Sequence, residues 1–339
     1  MPVGAYRLRA DRGENMTTLY IVVPCYNEEE VLSKTAATLL KKFEQLTKDG
    51  KITSESRIVF IDDGSTDSTW QKICSYTKIN AAFGGIKLSR NRGHQNALLC
   101  GLLTLKEYAD ALISIDADLQ DDINAIDSML DSFEQGSDIV YGVRSERKTD
   151  TFFKRFTAEA YYKILDKMGA KVIFNHADFR LMSKRAVECL ALFKERNIFL
   201  RGLVPMIGFK TDIVKYKRSE REAGESKYPL SKMLALAWEG ITSLSIRPIR
   251  LVTTTGALIF GFSILMLIYS VVRFFMGATV SGWASLAVSI WAIGGLQLLA
   301  IGIVGEYIGK IYLETKNRPR FIVEDIILDL TDRDDKNNE

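Results

Sequence analysis

Short apolar runs and longer amphipathic segments alternate along the first half of the chain. Residues 19–23 are continuously apolar, a buried-strand pattern, and residues 28–46 then follow helical spacing. The pair repeats with a run at 57–61 and a helix from about residue 68, a third strand at 86–88 and a helix over 94–108. A run at 111–115 leads to a helix from about residue 123, and a fifth strand at 138–143 to a longer helix over 152–168. Alternation on this scale predicts right-handed crossovers and a mostly parallel sheet covered on both faces.

Beyond residue 250 the pattern changes. No charged residue occurs over 251–272 or over 274–305, and each stretch reaches the roughly 20 apolar residues that a membrane-spanning helix needs. The connection, 273–283, holds a single charge, Arg273, so residues 251–307 read as a transmembrane helical hairpin with spans 251–272 and 284–305. Arg247 and Arg250 precede it and Lys310, Lys316, Arg318 and Arg320 follow it, which puts both ends, and the N-terminal domain, on the cytoplasmic face of the inner (plasma) membrane. Just before it, residues 231–250 carry Met233, Leu234, Leu236, Ala237, Trp238, Ile241 and Leu244, with Lys232 and Glu239 on other faces. That segment is either an interfacial amphipathic helix, with Trp238 at the headgroups, or an ordinary core helix.

A net charge of +3 over 339 residues and the lack of a basic stripe interleaved with aromatics argue against nucleic acid as a partner. Four cysteines without C-x-x-C spacing and two histidines disfavour structural zinc and fit a reducing compartment. Residues 1–15 lack the apolar core of a signal peptide and read as a disordered leader or a cloning remnant, so the soluble domain is expected over 16–230. Residues 308–339 read as a cytoplasmic tail with a polar end.

Each predicted strand ends in chemistry. Pro24-Cys25-Tyr26-Asn27-Glu28-Glu29 follows the first, Asp62-Asp63-Gly64-Ser65-Thr66-Asp67 the second, and Ser89-Arg90-Asn91-Arg92-Gly93 the third. The fourth carries Asp116-Ala117-Asp118-Leu119-Gln120-Asp121-Asp122, and the fifth ends at Gly142-Val143-Arg144. Ligands of open α/β sheets sit at that edge. Crowded carboxylates there call for a cation, and Asp118 and Gln120 offer hard oxygen ligands for Mg²⁺ or Mn²⁺; alternatively, the acids decorate a helix start. No glycine-rich phosphate loop is present, which disfavours a dinucleotide dehydrogenase or a P-loop NTPase.

Taken together, Val23-Pro24-x-Tyr26-Asn27-Glu28-Glu29, Asp62-Asp63-Gly64-Ser65 and Asp116-Ala117-Asp118-Leu119-Gln120 resemble the inverting glycosyltransferases of the GT-A fold. Asp178-Phe179-Arg180-Leu181-Met182, Arg221-x-x-Gly224-Glu225-Ser226-Lys227-Tyr228 and Gly305-Glu306-Tyr307-Ile308-Gly309 narrow the resemblance to the polyprenyl-phosphate sugar transferases, over residues 19–323. It implies a Rossmann-like GT-A domain followed by interfacial helices and the hairpin. Tyr26, Glu28 and Asp63 match nucleoside-holding positions, with Pro24 and Ala117 in the same binding motifs. Asp116, Asp118 and Gln120 match the metal and diphosphate site, and Arg144, Arg221 and Lys227 match cations around the phosphates, where Lys154 or Arg155 would also serve.

Asp178 is a candidate general base, a positioning group for donor sugar or acceptor, or a structural acid paired with Arg180. A phosphomonoester acceptor is largely dianionic at neutral pH and needs no base, which favours positioning. His94 fits a helix start better than a metal ligand. The expected enzyme is a metal-dependent inverting hexosyltransferase. It would carry a sugar, glucose first, from a UDP-sugar to polyprenyl (undecaprenyl or bactoprenyl) phosphate for cell-envelope glycans. Transfer of N-acetylglucosamine or mannose, glycan extension and a non-catalytic nucleotide-sugar scaffold are the alternatives; a homo-oligomer is compatible with all of them.

Overall fold

The computed structural model describes residues 16–145, 176–196, 198–217, 242, 247–276 and 282–328. The alternation continues through β1 (Leu19–Cys25), α1 (Leu32–Lys48), β2 (Arg57–Asp62), α2 (Thr69–Ile79), β3 (Phe83–Leu88), α3 (His94–Leu105), β4 (Ala111–Ser114), α4 (Ala125–Glu134) and β5 (Ile139–Arg144). Then come β6 (His176–Ser183), α5 (Lys184–Leu190), α6 (Leu200–Met206), β7 (Thr211–Tyr216), α7 (Arg247–Phe275), α8 (Trp283–Thr315) and β8 (Val323–Ile327).

These strands form one eight-stranded sheet in the order β7-β5-β6-β4-β1-β2-β3-β8. The β1–β2, β1–β4, β2–β3 and β5–β7 pairs are parallel. Alternate side chains of the buried strands feed two cores. Ile21, Val23 and Phe60 pack with Leu39 of α1 and Met129 of α4 on one face, and Val22, Ile61 and Leu112 with Leu98 of α3 and Val187 of α5 on the other. This is the expected GT-A α/β architecture with helices on both faces of a mostly parallel sheet.

Two strands run against the rest. β6 is antiparallel to β4 and β5, with Ser114 opposite Arg180 and Val140 opposite Leu181. The start of β6 therefore lies at the same edge as the ends of its neighbours, which brings Asp178 to the carboxylates after β4. β8 is antiparallel to β3, and Lys87 pairs with Glu324 at 2.9 Å. Part of the expected tail 308–339 is thus structured: α8 runs to Thr315, and the chain then returns to the sheet as its edge strand.

Several boundaries move for local reasons. The first helix starts at Leu32 rather than residue 28, because the amides of Glu28 and Glu29 are taken by Thr69 Oγ1 (2.9 Å) and Asp67 (3.2 Å) of the neighbouring loop. β3 begins at Phe83, its start hidden in sequence by Gly84-Gly85. The segments 251–272 and 284–305 are helical, inside α7 and α8. Among the described residues one stretch, Ile293–Thr315, is long and apolar enough to cross a membrane, so the two-span hairpin is not established. Residues 1–15, the helix at 152–168, Arg221, Lys227 and all of 231–246 except Thr242 lie outside the described residues, as do Lys154, Arg155 and Trp238.

Candidate functional site

The C-terminal ends of β2, β1 and β4 are neighbours in the sheet, so Asp63, Tyr26 and Asp116 emerge along one edge. The loops there are laced together. Ser65 Oγ accepts from Asn27 N at 3.0 Å, Asn27 Oδ1 accepts from Thr66 N at 2.8 Å, and Glu29 accepts from Ser68 N at 3.0 Å. Asn27 takes the left-handed conformation (φ 53), which an Asn tolerates. Gly64 also has positive φ (68), and a Cβ there would come within 2.6 Å of the Arg90 carbonyl carbon, so only glycine lets this loop touch the one after β3.

Asp63 is buried. Its two oxygens accept from the Arg92 and Gly93 amides at 2.7 and 2.8 Å, which fastens the start of α3 to the end of β2. Burial raises its carboxyl above the usual range, against the pull of those two amides. Adjacent Asp62 is fully buried and likewise raised by burial; its Oδ2 has no hydrogen-bond partner among the described residues. Pro24 is buried in β1, Tyr26 projects from it 45 % exposed, and Glu28 is half-buried.

After β4 the backbone turns sharply. Leu119 holds a positive φ of 44, Leu119 N donates to the Asp116 carbonyl at 3.3 Å, and Gln120 N donates to Asp118 Oδ1 at 3.3 Å. Ala117 is tucked under the turn, its carbonyl accepting from Thr35 Oγ1 at 2.5 Å. Asp118 is exposed and Asp116 half-exposed, whereas Gln120 is buried. Among the described residues no three His, Cys, Asp or Glu side chains form a closed metal shell. One exposed and one half-exposed carboxylate on this turn nevertheless fit the chemistry of Mg²⁺ or Mn²⁺, which such sites commonly hold by one or two carboxylates plus substrate phosphates.

Asp121, at the base of the turn, is buried and closes a network below it. Tyr216 Oη donates to Asp121 Oδ1 at 2.7 Å, and Arg144 donates to the same oxygen from Nε (3.2 Å) and Nη2 (3.1 Å). Arg144, expected at the phosphates, is engaged here by the turn that carries Asp118. Burial and the Asp121 charge together push the Tyr216 hydroxyl far above its usual range.

Asp178 reaches the same edge from β6. His94 Nε2 sits 3.5 Å from Asp116 Oδ1 and 3.8 Å from Asp178 Oδ2, joining the two carboxylates. Arg180 donates to Asp178 at 2.6 Å, and Arg201 of α6 donates from Nη2 at 3.0 Å. Burial alone would raise the Asp178 carboxyl, but Arg201 and Arg180 hold it well below the usual carboxylate range. Asp116 is shifted the other way: burial raises it, and the nearby Asp178, Asp121 and Asp118 charges add to this against His94.

The structure therefore brings Asp116, Asp118 and Asp178 to one edge and adds His94, Asp121 and Arg201. His94 was signalled only by its place at a helix start beside a strand end. Asp121 was present in the acidic cluster but indistinguishable from a helix-start acid. Arg201 carried no local signal, because a short apolar helix brings it in from far along the chain.

Comparisons with known proteins give the family of the chain. A family model described as Glycosyl transferase family 2 matches residues 20–191. The chain is 50% identical over 311 residues to an uncharacterized glycosyltransferase, YkoT, of Bacillus subtilis (strain 168), covering 92% of each. It is 42% identical over 309 residues to a bactoprenol glucosyl transferase of Shigella phage SfX, covering 90% of this chain and 98% of the relative. Among solved structures it is similar to mannosyl-3-phosphoglycerate synthase from Rubrobacter xylanophilus, with a TM-score of 0.47 and 14% identity over 69% of this chain and 74% of that one.

Proposed function

The chain belongs to glycosyl transferase family 2, and on that premise we propose that it transfers a sugar, glucose first, from a UDP-sugar to a polyprenyl phosphate at the cytoplasmic face of the membrane. The observation that carries the lipid acceptor is the path of the chain. The apolar helix Ile293–Thr315 leads within a few residues into β8, a strand of the catalytic sheet. A transferase domain woven into the foot of such a helix works at a lipid surface, and α7 beside it is exposed and apolar at Leu258, Phe262 and Leu265. The bactoprenol glucosyl transferase similarity supports the same acceptor and favours glucose. Both helices then span the inner membrane, with Arg247, Arg250, Lys310 and Lys316 on the cytoplasmic side.

In this reading Tyr26, Glu28 and Asp63, with Pro24 and Ala117 beneath them, form the nucleoside end of the site. Asp116 and Asp118, with Gln120 behind the turn, would hold Mg²⁺ or Mn²⁺, and a cation held by them would supply Lewis-acid stabilisation of the charge on the leaving diphosphate. The lipid phosphate is largely dianionic at neutral pH. Its oxygen forms the bond to the sugar C1 while the C1–oxygen bond to UDP breaks on the opposite face, the electron pair leaving with UDP and the configuration inverting. No proton has to be removed, so Asp178, held ionised between two arginines, positions groups rather than acting as a base. Arg221 and Lys227 are the further cations that the family motif assigns to the phosphates.

Purified protein with Mn²⁺, undecaprenyl phosphate and a panel of UDP-glucose, UDP-N-acetylglucosamine and GDP-mannose tests this reading. UDP release from UDP-glucose that requires the lipid is the expected result; lipid-independent release, or none with any donor, overturns it.

A further inference from the structure

Asp178 stands between two guanidinium groups that remain charged at any physiological pH. Arg180 is 1% exposed and donates to Asp178 from Nη2 at 2.6 Å, while its buried Nε and Nη1 find no hydrogen-bond partner among the described residues. Arg201 donates to the same carboxylate from Nε at 3.3 Å and Nη2 at 3.0 Å, and about a third of its side chain (36%) faces solvent. The Arg180 donors left without partners among the described residues are costly in the interior, and an anion bound at the neighbouring, partly exposed Arg201 offsets the charge of that buried guanidinium.

We propose that Arg201, backed by Arg180 and held in place by Asp178, binds the phosphomonoester of the acceptor. The assignment rests on the lipid-phosphate acceptor proposed above and names the residue that receives it. Its position suits that task. His94 spans Asp178 and Asp116, at 3.8 and 3.5 Å, so Arg201 lies one side chain beyond the carboxylates that serve the leaving diphosphate. An attacking phosphate and a departing one need such adjacent, separate cradles.

The support of Arg201 also ties it to the membrane side of the molecule. Leu200 N donates to Gln95 Oε1 at 2.8 Å, next to His94, and Arg196 N donates to Glu314 Oε1 at 2.6 Å near the end of α8. The helix that carries Arg201 is thus held between the start of α3 and the foot of the apolar helix.

Full-length protein in lipid nanodiscs tests this with Arg201→Gln and Arg201→Lys. KM and kcat are measured separately for undecaprenyl phosphate and for the nucleotide sugar, UDP affinity by calorimetry, and folding by the thermal midpoint. Arg201→Gln raises the acceptor KM about ten- to a hundredfold and Arg201→Lys less, as expected for one lost charge-assisted contact, with donor KM and UDP affinity within about twofold. An unchanged acceptor KM, or a rise confined to donor KM and UDP affinity, overturns the assignment. Arg201→Lys carries the test if the glutamine variant fails to fold. A wild-type protein that transfers nothing to undecaprenyl phosphate overturns the lipid-acceptor reading itself, whereas an active wild type with unaffected variants overturns Arg201 alone.

Discussion

Arg144 lies against Asp121, its Nε 3.2 Å and its Nη2 3.1 Å from a single carboxylate oxygen. The pair clamps the turn that presents Asp118 to the last strand of the five-strand alternation. Removing the guanidinium leaves a buried carboxylate to which the Tyr216 hydroxyl still donates. Arg144→Ala is expected to cost about 2–3 kcal/mol of stability, read by chemical denaturation, because one partner of a largely buried pair is lost. Arg144→Lys, which keeps the charge but not the fork, recovers part of it.

The Asp178 carboxyl is held below the usual range by Arg201 and Arg180 despite its burial. A depressed folded-state value means that its contribution to stability is complete above the unfolded carboxylate pKa of about 3.9 and fades as pH falls through the folded value. Across pH 5–9 it stays ionised and is a weak base. Asp178→Asn should therefore lower turnover by a similar factor at every pH in that window. Residual activity rising steeply with pH while lipid binding stays intact would restore the general-base role.

At Gly64 a methyl group meets both a positive φ and the backbone of residues 90–91 at 2.6 Å. Gly64→Ala costs more than about 1 kcal/mol from the backbone conformation alone, and more once the loop moves. The displaced loop carries the amides that hold Asp63, so UDP affinity, measured by calorimetry, falls along with the unfolding midpoint.

Truncation after residue 320 removes β8 and uncovers β3, whose Ile86 and Leu88 are buried. An unpaired edge of that kind invites association between chains. The truncated protein is expected to melt lower than the full chain and to aggregate on concentration, both visible by light scattering during a thermal ramp.

Most of the parallel half of the fold was legible in the sequence because its strands are apolar runs followed by helices, while β3 was visible only past Gly84-Gly85. β6 was not, since residues 176–183 carry Asp178 and Arg180 among apolar neighbours, and nothing local shows that the strand runs backwards between β4 and β5. β8 escaped notice for a similar reason: Glu324 and Asp325 make an edge strand look like a tail. In the site, the residues next to strand ends were readable, because topology alone delivers Tyr26, Asp63, Asp116 and Asp118 to one edge. Arg201 and the Arg144–Asp121–Tyr216 network depend on side chains that meet across long separations in the chain, a relationship that no spacing rule encodes. The two apolar helices followed directly from uncharged stretches of membrane length.

The metal reading has a direct test. Chelation by EDTA should abolish turnover, with recovery on adding Mn²⁺ or Mg²⁺, and Asp118→Asn should raise the metal concentration needed for half-maximal rate about tenfold or more. Full activity in EDTA would remove the cation from the account and leave Asp116 and Asp118 as helix-start acids.

A lipid phosphate as acceptor is tested by following the transferred sugar itself. Purified full-length protein is incubated with radiolabelled UDP-glucose, Mn²⁺ and undecaprenyl phosphate, and the organic extract is treated with mild acid. A lipid-phosphate acceptor predicts label in the lipid fraction that acid releases as free glucose. Label that stays in water, enters an acid-stable product or never leaves the donor would contradict it.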